Sequence, residues 1–149
     1  HAYNGRRTPR TEVMFQTGGT AYVYLIYGIH HLFNVVTAPA ETAHAVLIRG
    51  LEPTDNLELM LTRRSFTKLK PNLTAGPGTL TKALGIDRRY TGSSLTAADS
   101  LIWLEDRGEV ILEEQILASP RVGIDYAEEC VDWAWRFRVR GSKYTSKAK

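Results

Sequence analysis

The chain has 149 residues, of which 43% are hydrophobic, and this is enough for one domain with a buried core. Its single cysteine, Cys130, excludes an internal disulfide and a cysteine-rich zinc site, and is typical of a reducing compartment. No apolar run approaches the ~20 residues of a membrane helix, and the net charge of +3 is less informative than its distribution.

Residues 1–12 predict an irregular basic loop. Gly5 and Pro9 oppose regular structure, and three arginines fall within five residues, with Glu12 as the one acid nearby. Guanidinium groups match the oxygens of a phosphate, so the loop is either a phosphate contact or an ordinary solvated surface. The three arginines are Arg6, Arg7 and Arg10.

Residues 21–37 predict a β-hairpin. Residues 21–26 and 32–37 are rich in aromatic and β-branched side chains, and the connection between them contains a glycine. Tyr27 and Ile29 lie at or near its tip, where polar residues are usual. The tip therefore either packs under a neighbouring loop or inserts into a partner.

Residues 43–51 predict a third strand that contains Arg49. A lone arginine in a strand is costly unless it is paired or lines a cleft. Arg49 is therefore interpreted as a functional cation or as the partner of an acid such as Glu52. Tyr24, Asn34 and Arg49 would stand on three strands, where a ring, an amide and a cation could line one pocket.

Two helices are predicted between the hairpin and residue 85. The first covers 55–65, where leucine and methionine recur on one face. The second opens at 76–79 and stops at Gly85, with Lys82 expected in its first turn. A glycine-rich helix start presents free backbone N–H groups that suit a phosphate, although most such sequences are ordinary helix starts.

The C-terminal third predicts further strands and therefore an α+β fold. Short strands are expected at 100–105 and 109–112, and the alternation in 133–139 predicts a strand with one buried apolar face. The basic tail 143–149 is expected to fray. The apolar face consists of Trp133, Trp135, Phe137 and Val139, and the opposite face includes Arg136 and Arg138.

Several chemistries are disfavoured by the motifs that the chain lacks. One cysteine cannot supply the cysteine pair of a zinc deaminase, and neither a Walker phosphate loop nor a Gly-x-Ser-x-Gly elbow occurs. His30, His31 and His44 do not predict a metal site, because adjacent turn residues cannot easily point at one ion. A basic surface with interleaved aromatic rings remains, which favours nucleic-acid binding.

Segments with a joint resemblance run in order across nearly the whole chain. Besides His1, they include Gly5-Arg6-Arg7-Thr8-Pro9-Arg10, Tyr22-Val23-Tyr24-Leu25-Ile26-Tyr27-Gly28, Asn34-Val35, Val46-Leu47-Ile48-Arg49-Gly50-Leu51-Glu52-Pro53, Gly76-Pro77-Gly78, Ala83-Leu84-Gly85-Ile86, Arg121-Val122-Gly123-Ile124 and Trp135-Arg136-Phe137. In these segments the sequence resembles the alkyladenine (3-methyladenine) DNA glycosylase family, which comprises the vertebrate-type enzymes and their bacterial relatives.

The resemblance implies one DNA glycosylase domain over residues 1–149, a single mixed α+β domain with a curved antiparallel sheet, a protruding β-hairpin and a few short helices. It implies hydrolysis of the N-glycosidic bond of alkylated or deaminated purines, such as 3-methyladenine and hypoxanthine, after they flip out of duplex DNA. It further implies a monofunctional monomer without metal or cofactor, in the bacterial cytoplasm or a eukaryotic nucleus.

The resemblance also implies a role for individual residues. Tyr27 enters the minor groove in place of the flipped nucleotide, and Ile29 wedges beside it. Arg49 lies near the target phosphate and the attacking water. The base pocket is formed by His1, Tyr24, Asn34 and the backbone at Val122. The residue types themselves, rather than the resemblance, predict contacts with the DNA backbone for Arg6, Arg7, Arg10, Gly78 and Lys82.

The sequence departs from the family pattern at its start. Family members carry a Glu-Thr-Glu-Ala-Tyr-like segment just upstream of the histidine that matches His1, and its second glutamate is the general base. The chain is therefore expected to be N-terminally incomplete, and Glu12, Glu41 and Glu52 fall outside that motif. A DNA-damage-binding module without catalysis and an inactive fragment remain alternatives.

Overall fold

The computed structural model describes residues 1–146, so the end of the predicted basic tail, 147–149, lies outside the described residues. Two α-helices separate a three-stranded antiparallel sheet from a two-stranded one along the chain, which confirms the α+β class. Within residues 1–146, no helix has the length and apolar character that spanning a membrane requires. The elements are β1 (Ala21–Ile26), β2 (His30–Val36), β3 (Ala45–Leu47), α1 (Leu57–Arg64), α2 (Pro77–Leu84), β4 (Ile116–Ser119) and β5 (Arg136–Val139).

The predicted hairpin is confirmed and forms the centre of the first sheet. β1 pairs with β2 from Ala21 opposite Val35 to Ile26 opposite His30, and β2 also pairs with β3. β2 therefore begins two residues earlier than the sequence predicted. The early start shortens the connection to a tight turn and extends the ladder to the tip.

The hairpin turn holds a tyrosine in a left-handed conformation. Ile29 donates its backbone N–H to the carbonyl of Ile26 at 3.2 Å. The two central residues, Tyr27 and Gly28, have φ of 53° and 71°. Positive φ at both positions is typical of the type I′ hairpin turn, which strongly favours Asn-Gly. Tyr27 therefore occupies a position that is strained for a bulky side chain.

Alternation along the strands gives the first sheet two buried faces. Successive side chains of a strand point to opposite sides, so one sequence serves two separate clusters. α2 packs against β2 on the first face. The first cluster contains Ala21, Val23, Phe33, Val35, Ile86 and Leu95. The second contains Val13, Met14, Phe15, Tyr22 and Val36.

Both predicted helices are present. α2 buries Leu80 and Ala83 and ends where Gly85 takes a left-handed conformation with φ of 74°, as expected for a glycine C-cap. α1 packs beside α2, and the Arg63 guanidinium donates to the carbonyl of Ala83 at 3.2 Å. The prediction for Lys82 is wrong: α2 begins at Pro77, which places Lys82 in the last turn of the helix.

Three strand predictions need correction. The third strand covers only Ala45–Leu47, so Arg49 lies just beyond it. In the described part of the chain, 100–105 and 109–112 form no strands. Between these segments Gly108 donates its N–H to the Asp106 carboxylate at 2.8 Å. Apart from Ile102, which packs against the first cluster, the side chains of 101–112 stay exposed, so the alternation there has no apolar face to bury.

The face of the last strand is opposite to the prediction. β5 begins only at Arg136 and pairs with β4. Arg136 is 3% exposed, whereas Phe137 is 66% exposed and Trp135 is 54% exposed. The arginine side is covered by the chain end, because Arg136 donates to the carbonyl of Ser146. Burial of the arginine face therefore depends on a contact made after the strand.

The strain at the turn predicts a stabilising substitution. Tyr27→Asn should raise the free energy of unfolding by about 0.5–1 kcal/mol, because Asn tolerates the left-handed conformation that costs Tyr about 1 kcal/mol. Chemical denaturation with constant m-value measures the change. Ile29→Asn is the matched control, since Ile29 is also exposed but lies outside the left-handed positions, and it should give no gain. A destabilised Tyr27→Asn would mean that the ring makes a stabilising contact.

Candidate base pocket and nucleic-acid interface

The hairpin tip presents two apolar side chains to solvent. Tyr27 is 86% exposed and Ile29 is 72% exposed, so the tip does not pack under a neighbouring loop. An exposed tyrosine and isoleucine at a strained turn have no role in the core of the protein. The tip is therefore free to insert into a partner, as required of a wedge between stacked bases.

Behind the tip, three rings form a cluster that we call the aromatic cage, which consists of His1, Tyr22 and Tyr24. The centroids of Tyr22 and Tyr24 are 5.2 Å apart, as expected for alternate residues of one strand. His1 meets Tyr24 edge-on, with centroids 4.7 Å apart and planes at 78°. His1 Nδ1 lies 3.0 Å from the hydroxyl oxygen of Tyr22.

Arg10 closes the aromatic cage from the solvent side. Its guanidinium carbon lies 4.6 Å from the centroid of the Tyr24 ring, which is a cation–π contact. Its Nη2 lies 3.2 Å from Nε2 of His1. Because a guanidinium only donates, Nε2 accepts, and Nδ1 carries the proton that His1 donates to Tyr22. Sequence reasoning assigned Arg10 to the DNA backbone and missed this contact.

The aromatic cage has no open slot for a base in this structure. A base stacked between two rings needs them face to face and about 7 Å apart, which is twice the carbon contact distance. His1 and Tyr24 are instead edge-to-face at 4.7 Å. A flipped base can enter only if His1 turns and the guanidinium over Tyr24 leaves.

Both tyrosines of the cage are held in their neutral form. The pKa of Tyr24 is raised to about 12, chiefly by burial and also by the proximity of Tyr22 and Tyr126, against the opposing charges of Arg10 and Arg49. Burial also raises the pKa of Tyr22. The rings therefore keep the electron-rich faces that attract a cation, without a formal charge. Tyr126 was not predicted from the sequence, and no local pattern marks it.

Arg49 faces the same side of the sheet as the cage. Leu47 lies opposite Asn34 on β2, and Arg49 follows two residues later, so alternation places both on the Tyr24 side. Burial lowers the pKa of Arg49, and the charge of Arg136 lowers it further. Its Nε is buried without an acceptor, and within residues 1–146 Arg49 makes no ion pair. The alternative pairing with Glu52 is therefore not found, and an uncompensated cation borders the pocket.

Asn34 lies opposite Tyr22 in the β1–β2 ladder, on the side of the sheet that carries the cage. Asn34 is 6% exposed, and its amide nitrogen donates to the carbonyls of Tyr22 at 3.1 Å and Leu32 at 3.3 Å. Only its side-chain oxygen is left to read a base edge. Val122 is half-buried next to Arg121, whose guanidinium lies 5.3 Å from the Trp135 ring centroid.

The other predicted DNA-backbone residues separate into engaged and free groups. Arg7 donates to both carboxylate oxygens of Glu41, at 2.9 and 3.1 Å, and stacks on Phe15 at 4.2 Å. Its partner Glu41 is distant in sequence, so the local pattern showed only Glu12, which lies 3.5 Å away. Arg6 is exposed. Arg6 is therefore the better candidate for a phosphate contact.

The start of α2 lies beside the hairpin. The Cα of Gly78 is so close to the His30 ring that an added Cβ would lie 3.0 Å from it. Thr81 donates its hydroxyl to the carbonyl of His31 at 2.8 Å, which ties the helix to β2. The free backbone N–H groups at this end therefore stand near the tip, whereas Lys82 is one turn away.

Burial of Tyr24 predicts a late-titrating tyrosine. Its folded pKa of about 12 exceeds the unfolded value of about 10, so the folded state retains a proton that the unfolded state loses. Stability should be unaffected below pH ~10 and fall as the pH rises toward ~12. Tyrosinate absorbance as a function of pH measures how many tyrosines titrate late, and circular dichroism verifies that the protein stays folded. Tyr24→Phe should remove one tyrosine from the late class, and an unchanged late class would contradict the assignment.

Comparison with known proteins agrees with the resemblance seen in the motifs. The sequence model of a family described as Methylpurine-DNA glycosylase (MPG) matches residues 1–143. A protein of Bacillus cereus strain G9842, named "Putative 3-methyladenine DNA glycosylase", is 50% identical over 153 aligned residues, which cover 99% of this chain and 75% of that protein. A relative of the same name from Bacillus thuringiensis strain Al Hakam is 49% identical with the same coverage. The chain therefore belongs to the methylpurine-DNA glycosylase family.

Proposed function

We propose that the protein hydrolyses the N-glycosidic bond of alkylated or deaminated purines, such as 3-methyladenine and hypoxanthine, that flip out of duplex DNA. The observation that carries the proposal is that one hairpin holds both an exposed aromatic tip and a ring of the cage. Tyr27 and Tyr24 lie three residues apart on β1 and its turn. Insertion of the first into the duplex therefore brings the second to the displaced nucleotide.

The tip supplies the wedge. Flipping a nucleotide costs a few kcal/mol, less when the base is damaged, and stacking on an aromatic ring returns about 1–3 kcal/mol per base. Tyr27 fills the space that the nucleotide leaves, and Ile29 packs against the neighbouring base. The strained turn supports this role, because it directs an apolar ring into solvent at a stability cost that the fold itself does not require.

The cage supplies recognition of the base. Neutral, electron-rich rings attract a positively charged purine by cation–π contact and stack on a neutral one such as hypoxanthine. Asn34 has one free side-chain oxygen, which repels the acceptor edge of a base and accepts from a donor. The cage therefore favours alkylated purines, whose charge also makes them better leaving groups.

Arg49 supplies positive charge beside the sugar and the phosphate. A half-buried guanidinium whose Nε has no acceptor suits the target phosphate and the water that attacks the sugar. The general base that the resemblance implies belongs to a Glu-Thr-Glu-Ala-Tyr-like segment, which does not occur in residues 1–149. Glu12 and Glu41 are exposed and paired with Arg7, so neither is proposed as that base.

A DNA-damage-binding module without catalysis is the second candidate. The wedge and the cage would serve binding equally well, and only a positioned base, typically worth ~10²–10⁴-fold in rate, separates the two functions. Excision from duplex DNA by the protein as its gene encodes it decides between them. A single glycosylase domain that acts as a monomer without metal or cofactor stays a prediction.

Loss of the wedge should weaken binding to damaged DNA while the fold is retained. Tyr27→Ala should reduce affinity for a duplex with an abasic-site analogue by about tenfold, since one stacking contact is worth ~1–3 kcal/mol. Fluorescence anisotropy measures the affinity. Tyr27→Phe retains the ring and is the matched control, which should bind like the unmodified protein. A large loss of stability with unchanged affinity would mean that the ring serves the fold.

Loss of the pocket cation should affect turnover more than binding. Arg49→Gln should lower single-turnover excision of hypoxanthine by about 10²-fold, as for other transition-state donors, with a smaller change in duplex affinity. Arg88→Gln removes the same charge from an exposed residue on the turn that packs against β1, and should keep full excision. Equal rates for the two variants would remove Arg49 from the reaction.

A further inference from the structure

Arg10 makes a contact that the proposed function does not use. The predicted role of Arg10 is to bind the DNA backbone, yet its guanidinium lies over the ring that the flipped base requires. The same group donates to Nε2 of His1 and so keeps that ring edge-on to Tyr24. In this arrangement Arg10 blocks the pocket twice, because it covers one ring and fixes the other.

The contacts that hold Arg10 over the Tyr24 ring are weak. Arg10 is exposed, and within residues 1–146 it makes no ion pair with a carboxylate. Its hydrogen-bond partner is a neutral imidazole, and its stacking contact is at the surface, where such contacts are weak. Arg7 nearby is held by two hydrogen bonds to Glu41, which shows that the loop can fix a guanidinium firmly.

The backbone around Arg10 is held in place, so only the side chain needs to move. Thr11 is 3% exposed, and its hydroxyl accepts from the N–H of Thr8 at 2.9 Å and donates to the carbonyl of Arg6 at 3.2 Å. The loop therefore keeps its shape while the long side chain rotates. An exposed guanidinium over a ring can turn outward without breaking any backbone hydrogen bond.

A DNA phosphate is the group that can draw Arg10 out. Guanidinium and phosphate form charge-assisted, bidentate hydrogen bonds, which are stronger than a contact with a ring face and a neutral nitrogen. Release of condensed counterions adds to the preference. A free base or a nucleoside has no phosphate, so it provides no anion to replace the contact between Arg10 and the Tyr24 ring.

We propose that Arg10 is a specificity-determining residue that occupies the base site of the free protein and leaves it for a phosphate of the bound DNA. The proposal rests on the proposed function and deepens it. The pocket opens when the duplex is engaged, because the phosphate contact frees Tyr24 and releases His1 to turn. The protein thereby selects bases presented on DNA over free purine bases and nucleosides, including its own product.

Arg10→Gln gives changes of opposite sign for the two ligands. Free hypoxanthine should bind about two- to fivefold more tightly to the variant, because the cation–π contact that competes with it is gone. Affinity for a duplex with an abasic-site analogue should fall, and the slope of log K against log salt should decrease by about one. Isothermal titration and fluorescence anisotropy measure the two affinities.

Arg6→Gln is the matched control, since it removes the same charge from the same loop at a residue away from the rings. It should lower duplex affinity and leave the affinity for free hypoxanthine unchanged. Unchanged or weaker hypoxanthine binding by Arg10→Gln would overturn the proposal, since Arg10 would then support the cage. Tighter binding by both variants would also overturn it, as a general charge effect.

A second measurement follows Arg10 in the unmodified protein. The Tyr24 ring current should shift the Nε–H proton resonance of Arg10 upfield, and addition of the abasic duplex should abolish that shift. A shift that persists in the complex would overturn the proposal. Excision by the unmodified protein tests the proposed function separately. Excision together with an unaltered Arg10 resonance would reject only the proposed movement of Arg10. A resonance that changes on DNA binding without excision would reject only the catalytic assignment.

Discussion

The antiparallel register of β1 and β2 is the constraint on which the rest of the structure depends. Pairing of Ala21 with Val35 directs Val23 to the core and Tyr24 to the pocket. A slip by one residue would exchange these faces, moving Val23 to the side of the rings and the tyrosines to the side of the first cluster. The two-residue turn and the two buried clusters oppose that slip together, so the positions of Tyr24 and Asn34 follow from the same ladder.

The arginines that hold the fold together have partners within the chain, whereas those beside the cage have no acidic partner in the described part of the chain. Arg7 is satisfied by Glu41 and by the face of Phe15, and it holds the basic loop against the second cluster. Arg49 and Arg10 both border the cage, and neither forms an ion pair with a carboxylate in the described part of the chain. Uncompensated positive charge is costly when buried, and it is offset when an anion arrives. The pocket region is therefore matched to a phosphate polymer.

The hairpin tip has a conformation that costs stability. Local preference would place Asn or Gly at position 27, and an apolar ring would be buried. Tyr27 breaks both preferences at once, with positive φ and 86% exposure. Proteins break local rules at functional sites more than elsewhere, because selection there acts on what the side chain contacts outside the fold. The Tyr27 ring is the clearest such departure in the first sheet.

The sequence by itself determined the elements that depend on local periodicity and turn chemistry. Aromatic and β-branched composition around a glycine-containing connection predicted the hairpin, glycine marked the end of α2, and ordered motifs identified the family. Tertiary structure alone decided which guanidinium meets which partner: Glu41 for Arg7, the Tyr24 ring for Arg10, and the chain end for Arg136. These contacts join residues distant along the chain or depend on side-chain rotation. The spacing of residues therefore could not predict the shortened third strand, the exposed Phe137 or the closed cage. Burial is decided by what packs on a face of a strand and not by the pattern of that face.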